Sequence, residues 1–157
     1  MKVSAENAEN GVNDMTDLYS LKRFLDAQSR DYDTALAEMR RGRKTTHWIW
    51  YIFPQLRGLG RSEYSFTYGL GGIEEAKAYI EHPILGQRLI EITQAVLQHS
   101  GKTAAKIFGG DIDAKKFRSC MTLFREAAPE IVLFDDALNT FFGGEPDHKT
   151  LERIRRG

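Results

Sequence analysis

The chain has 157 residues, of which 41% are hydrophobic and 28% charged, with 22 Lys and Arg matched by 22 Asp and Glu. This is the composition of one ordinary globular domain; it excludes a disordered chain, and the charge balance excludes a protein-wide field that would gather nucleic acid or an anionic membrane. A single cysteine, Cys120, excludes an intrachain disulfide and a cysteine-based zinc cluster; with no apolar run of about 18 residues and no secretory signal pattern, a reducing cytoplasm is the expected compartment.

Residues 1–17 carry Glu6, Glu9, Asp14 and Asp17 against Lys2 and almost no large apolar side chain. They read as a mobile acidic tail, disordered on composition, ahead of one domain over 18–157. Ser20 is a residue of N-cap type before Leu21, Phe24 and Leu25, which predicts a short first helix. A second helix is expected from Asp31, with Tyr32, Leu36 and Met39 on one face and Gly42 as its stop. Arg40, Arg41, Arg43 and Lys44 cluster at that end, where cations are favoured by the helix dipole; anion binding is the alternative reading.

The run Thr45 to Gln55 is apolar and aromatic, with a period that fits neither template well and a content that would also suit a strand; Thr45 or Thr46 as cap with Pro54 as stop favours a short buried helix. Five glycines between Gln55 and Gly72 predict a loop, with a helical turn near Tyr64 to Tyr68, in which the backbone can pass close to a ligand. Gly58-Leu59-Gly60 is no dinucleotide fingerprint, because no βαβ unit can be drawn around it. A helix follows from Ile73 to Glu81, broken at His82-Pro83, and the next, with Ile84, Leu85, Leu89, Ile92 and Val96 on one face, is the expected central core helix.

Thr103 caps a short piece through Phe108, and Asp111 or Asp113 caps a helix whose inner stripe is Phe117, Cys120, Met121 and Phe124. Pro129 opens another helix, stopped by Gly143-Gly144, and Asp147 or Thr150 begins a last one. The pieces sum to an all-α fold, a single multihelical domain of about seven or eight helices with no substantial sheet.

The ordered strings Gly42-Arg43-Lys44, His47-Trp48, Phe53-Pro54-Gln55, His82-Pro83-Ile84-Leu85-Gly86, Met121-Thr122-Leu123-Phe124 and Phe142-Gly143-Gly144 resemble the bacterial and fungal family known as domain of unknown function eighteen-ten. The resemblance runs from about Asp17 to the end and implies a multihelical single domain without a known activity; the label calpastatin-like, given to some members, implies nothing physical. The family often has two serines before its Met-Thr-Leu-Phe string, whereas this chain has Ser119 and then Cys120.

The residues offer one candidate constellation. Histidine is the side chain whose unperturbed pKa lies near neutrality, and His47 has aromatic neighbours that can exclude water, which suits a general base; a core histidine bonded to a carbonyl is the bland alternative. Trp48 and Trp50 can stack a base or sugar or simply fill the core, and Gln55 adds a polar group. Lys116, Ser119, Thr122 and Arg125 recur every three residues and can share a polar helix edge for a phosphate or carboxylate, or form a solvated face.

His82, His99 and His148 lack metal-ligand spacing, so no bound metal is expected and no cofactor is implied. Two functions remain. One is a small-molecule or nucleotide-type ligand-binding protein, with or without catalysis, built on His47 to Gln55, the glycine loop and the Lys116 to Arg125 edge. The other is a non-catalytic helical interaction module, which requires an exposed apolar patch. General nucleic-acid binding and membrane association are not expected.

Overall fold

Apolar residues at spacings of three and four, with glycine and proline between the runs, make a chain of helices with little else. The computed structural model describes residues 18–157, and the acidic segment 1–17 lies outside them. Among the described residues the helices are α1 (Lys22–Arg41), α2 (Ile49–Ile52), α3 (Glu63–Tyr68), α4 (Ile73–Glu81), α5 (Leu85–Leu97), α6 (Ala104–Phe108), α7 (Asp111–Ala127), α8 (Leu133–Phe142) and α9 (His148–Arg156). No strand forms there; one isolated parallel bridge joins Leu56 to Leu70 and closes the glycine loop at its base. The all-α expectation is met.

The first two expected helices are one. Phe24, Ala27, Gln28, Tyr32, Ala35, Leu36 and Met39 form an unbroken buried stripe along α1. Polar Gln28 holds its place in that stripe because its amide donates to the Tyr51 carbonyl at 2.8 Å and to the Tyr79 hydroxyl at 2.9 Å. A satisfied polar group does not interrupt a buried face, although it interrupts a hydropathy pattern. Ser20 is not the cap: it has φ +56°, and α1 starts after Leu21 without a side-chain cap.

Other boundaries follow the same division between local and tertiary control. Thr103 and Asp147 cap α6 and α9 by accepting from Lys106 N and Thr150 N. Thr45 and Thr46 cap nothing, since α2 starts after Trp48, and Gly110, not an aspartate, precedes α7. Pro129 stands in a turn ahead of α8, which starts only at Leu133. His82 supplies a cap that hydropathy does not advertise: its Nδ1 accepts from Ile84 N at 3.1 Å and Leu85 N at 3.3 Å at the start of α5.

The central helix is α7, not α5. It packs against α2, α4, α6, α8 and α9, and Cys120 through Phe124 are all buried. α5 presents one face to α1, α4 and α8. The crossing of α4 and α5 depends on Gly86, where a Cβ would stand 2.0 Å from the Ile80 carbonyl oxygen. Aromatic rings knit the core around α7: Phe117 stacks on Phe108 at 4.6 Å and meets Phe53 edge-on at 5.1 Å, while Tyr79 links Phe24 and Phe124. Such pairs add to the area they bury and fix one packing.

Candidate functional site

The segment after α1 is organised by a carboxylate that sequence reasoning passed over. Glu38 is buried on the inner face of α1 and accepts from Thr45 N (2.8 Å), Thr46 N (3.1 Å), Thr46 Oγ1 (2.6 Å) and Trp48 Nε1 (2.9 Å). Desolvation pushes its pKa up, but the hydrogen bonds, led by Thr46, outweigh that and hold it at about 2. The only advance signal was a carboxylate beside Met39, next to the apolar stripe.

Lys44 turns inward beside it. Its ammonium bonds the Thr46 carbonyl at 2.6 Å, pairs with Asp113 at 3.0 Å and lies over the Trp48 ring at 5.0 Å. Asp113 also pairs with Lys116 at 3.0 Å, and Lys116 sits 4.1 Å from the centre of the Trp50 ring. Burial pushes the Asp113 carboxyl up, yet the two ammonium groups outweigh it and hold it below the usual range. These contacts tie α1, α2 and the start of α7 into one knot.

Of the residues nominated from sequence, Trp50 and Lys116 are brought together and His47 lies nearby in the chain, exposed, its ring without a hydrogen bond among the described residues. Trp48 is fully buried, its indole donor held by Glu38. Gln55 is buried, and its carbonyl accepts from Leu70 N at 2.9 Å. Ser119 Oγ donates to the Lys115 carbonyl, and Thr122 Oγ1 donates to the Arg118 carbonyl while accepting from Asp147 N at 2.9 Å. Thr122 thereby seats the turn before α9.

Arg125 is held by Glu126 and Asp135 at the far end of α7, about 13 Å along the helix axis from Lys116. The edge read from the three-residue spacing is therefore divided among separate tasks. Cys120 is fully buried, and burial pushes its thiol up, which is the reverse of what a thiolate nucleophile requires.

A concavity opens on the other side of the glycine loop. Its volume is about 630 Å³, and Gly71 and Gly72 line it together with apolar side chains Leu56, Ile73, Ile154 and Tyr19. Arg57, Arg153 and Arg156 line it as well, with Glu74 and Glu75. None of the side chains nominated from sequence lines it; the glycine loop is the one shared part.

Arg23 fastens this loop to α1. Its guanidinium donates to the Thr67, Tyr19, Ser20 and Gly69 carbonyls and to Glu75 Oε2 at 2.7 Å, and Glu75 Oε1 accepts from Gly71 N at 2.8 Å. The pair is largely buried and fully hydrogen-bonded, the condition under which an ion pair fixes a loop instead of weakening it. α9 forms the opposite wall. Only Thr150 of α9 is fully buried, and Arg153 reaches across to the loop, where Gly58, with φ +99°, leaves room for its guanidinium. A Cβ on Gly58 would stand 2.2 Å from an Arg153 Nη atom.

Among the described residues no cluster of three metal-ligating side chains occurs, and no helix is long and apolar enough to cross a membrane. A search of curated proteins found no match. Among solved structures the chain is similar to the conserved hypothetical protein Rv1873 from Mycobacterium tuberculosis, with 42% sequence identity and a TM-score of 0.84 over 87% of this chain and 97% of that one. The family model described as protein of unknown function (DUF1810) matches residues 18–154. The chain, from the start of its helical array to the last turn of α9, belongs to that family.

Proposed function

We propose that this protein binds a small molecule in the concavity between the glycine loop and α9. The observation that carries the reading is the concavity itself: about 630 Å³, apolar on Leu56, Ile73 and Ile154, with a few convergent polar groups. Small-molecule sites have that size and that mixture. The Arg23–Glu75 pair and the Leu56–Leu70 bridge support it, because they hold one wall in place before any ligand arrives. Binding, not catalysis, is the function this geometry favours, since one of its two carboxylates is occupied by Arg23.

Gly72 provides the test. It lines the concavity, its φ of 172° is extended backbone that any residue adopts, and a Cβ there meets nothing within 4 Å. Gly72→Leu therefore adds an apolar side chain at the wall of the concavity without straining the fold. Wild type and variant are compared by thermal shift against a library of nucleotides, sugar phosphates and neutral metabolites, since a ligand of the folded state raises its apparent stability. Hits that vanish in Gly72→Leu support the site; hits that persist unchanged place binding elsewhere.

A second reading, an interaction module, draws on a different observation. Phe66 is 67% exposed and Leu18 72% exposed, and both flank a shallow groove beside the concavity. Silence across the whole library, together with retention of a partner through Phe66 that is lost in Phe66→Ser, favours that reading instead.

A further inference from the structure

We infer that the ligand of this concavity is a phosphate ester, its dianionic end between Arg57 and Arg153 and its apolar body against Ile73 and Ile154; the inference rests on the binding reading above. The argument begins with an imbalance of partners. Arg153 makes no hydrogen bond or ion pair among the described residues; Arg57 donates only through its Nε, to the Phe66 carbonyl at 3.0 Å, with its guanidinium over the Phe66 ring at 5.0 Å. The terminal guanidinium nitrogens of both are without a protein acceptor.

The carboxylates that line or border the space are engaged elsewhere. Glu75 is held by Arg23 at 2.7 Å, Glu74 faces Lys77 at 3.7 Å, and Glu152 is bonded by Arg156 at 2.5 Å. Neighbouring arginines repel each other, and apolar walls keep part of the screening water away. The fold nevertheless draws Arg153 in: Gly58, adjacent to Arg57, has no side chain where the Arg153 guanidinium lies, and any Cβ would strike it at 2.2 Å. A planar, multi-donor cation placed beside a second one matches the oxygens of a phosphate dianion better than those of a monoanionic carboxylate.

The test measures affinities of four probes by calorimetry: phenyl phosphate, benzoate, benzyl alcohol and inorganic phosphate. Phenyl phosphate is expected to bind most tightly, with an affinity that falls as salt rises. Arg153→Gln, an exposed change that removes no intrachain hydrogen bond or ion pair, is expected to weaken phenyl phosphate about tenfold and to leave benzyl alcohol unaffected, with Arg153→Lys in between. Phenyl phosphate binding no tighter than benzyl alcohol, indifference to Arg153→Gln, or no binding of any probe each overturns the proposal.

Gly72→Leu separates the two levels of the argument. If that variant blocks benzyl alcohol while Arg153→Gln changes nothing, the concavity is a binding site for a neutral ligand and the phosphate assignment falls alone. If phenyl phosphate binds Gly72→Leu as well as wild type, both fall.

Discussion

Two regions of this molecule carry aromatic and cationic side chains in quantity, and they differ in what those side chains have left to give. The donors that converge on Glu38 and Asp113 meet acceptors within the chain: the Trp48 indole, the Thr46 hydroxyl, both backbone amides of the Thr45-Thr46 step and both ammonium groups. Between the glycine loop and α9, two guanidinium groups face an open space with terminal nitrogens unengaged. The first arrangement holds a fold together, because leaving any one of its groups unpaired after burial costs about 1–3 kcal/mol. The second contributes little to stability and is where an outside partner gains most. Richness in chemically suggestive residues is therefore a poor guide to a site; unsatisfied capacity beside a cavity is a better one.

The largest effect that sharpens this contrast is expected at Glu38. Glu38→Gln replaces a four-donor acceptor by an amide that presents hydrogens to donors, and should cost roughly 3 kcal/mol, the equivalent of its lowered pKa. Because the folded carboxyl titrates near 2 against an ordinary 4.5, its contribution is present above pH 4.5 and is lost as pH falls towards 2. Urea midpoints measured from pH 2 to 7 should show wild type losing stability over that interval and the variant losing less. A variant as stable as wild type at pH 7 would show that the knot is not structural.

Next in size is Glu75→Gln, which leaves the Arg23 guanidinium buried with a neutral partner and frees Gly71 from its acceptor. A loss of about 2–3 kcal/mol is expected in chemical unfolding, with faster amide exchange over 69–72. Unchanged exchange there would mean that the loop is held by the Leu56–Leu70 bridge alone.

His82→Ala removes the imidazole acceptor at the start of α5, and a loss of about 1 kcal/mol, the ordinary worth of a cap, is expected in the same assay. The smallest effect is expected at His47. Its exposed ring makes no hydrogen bond among the described residues, so His47→Ala should change stability by less than about 0.5 kcal/mol and leave phenyl phosphate binding intact. A large loss of binding in His47→Ala would return the site to the aromatic segment and reverse the comparison.

Legibility in the sequence followed the range of the interactions involved. Helices with local punctuation, such as α4 before His82-Pro83 or α6 behind Thr103, stood where their own residues placed them. α1 was divided in two because Gln28 looks like an exposed residue until Tyr51 and Tyr79, from distant segments, supply its partners. The edge from Lys116 to Arg125 was legible as a spacing, but of the partners that divide it only Asp113 is local, three residues from Lys116 on the same helix, while Asp147 and Asp135 come from later segments.

By itself the sequence determined the all-α class, the glycine loop, most helix stops and the family strings, because periodicity, capping and glycine's backbone freedom act within a few residues. Tertiary structure alone decided that α7 is central, that Glu38 closes the knot around Trp48, and that Arg57 and Arg153 line one concavity. Those outcomes depend on which chain segments are brought side by side, and whether a polar group is engaged or free is a property of its neighbours in space, which one-dimensional order does not contain.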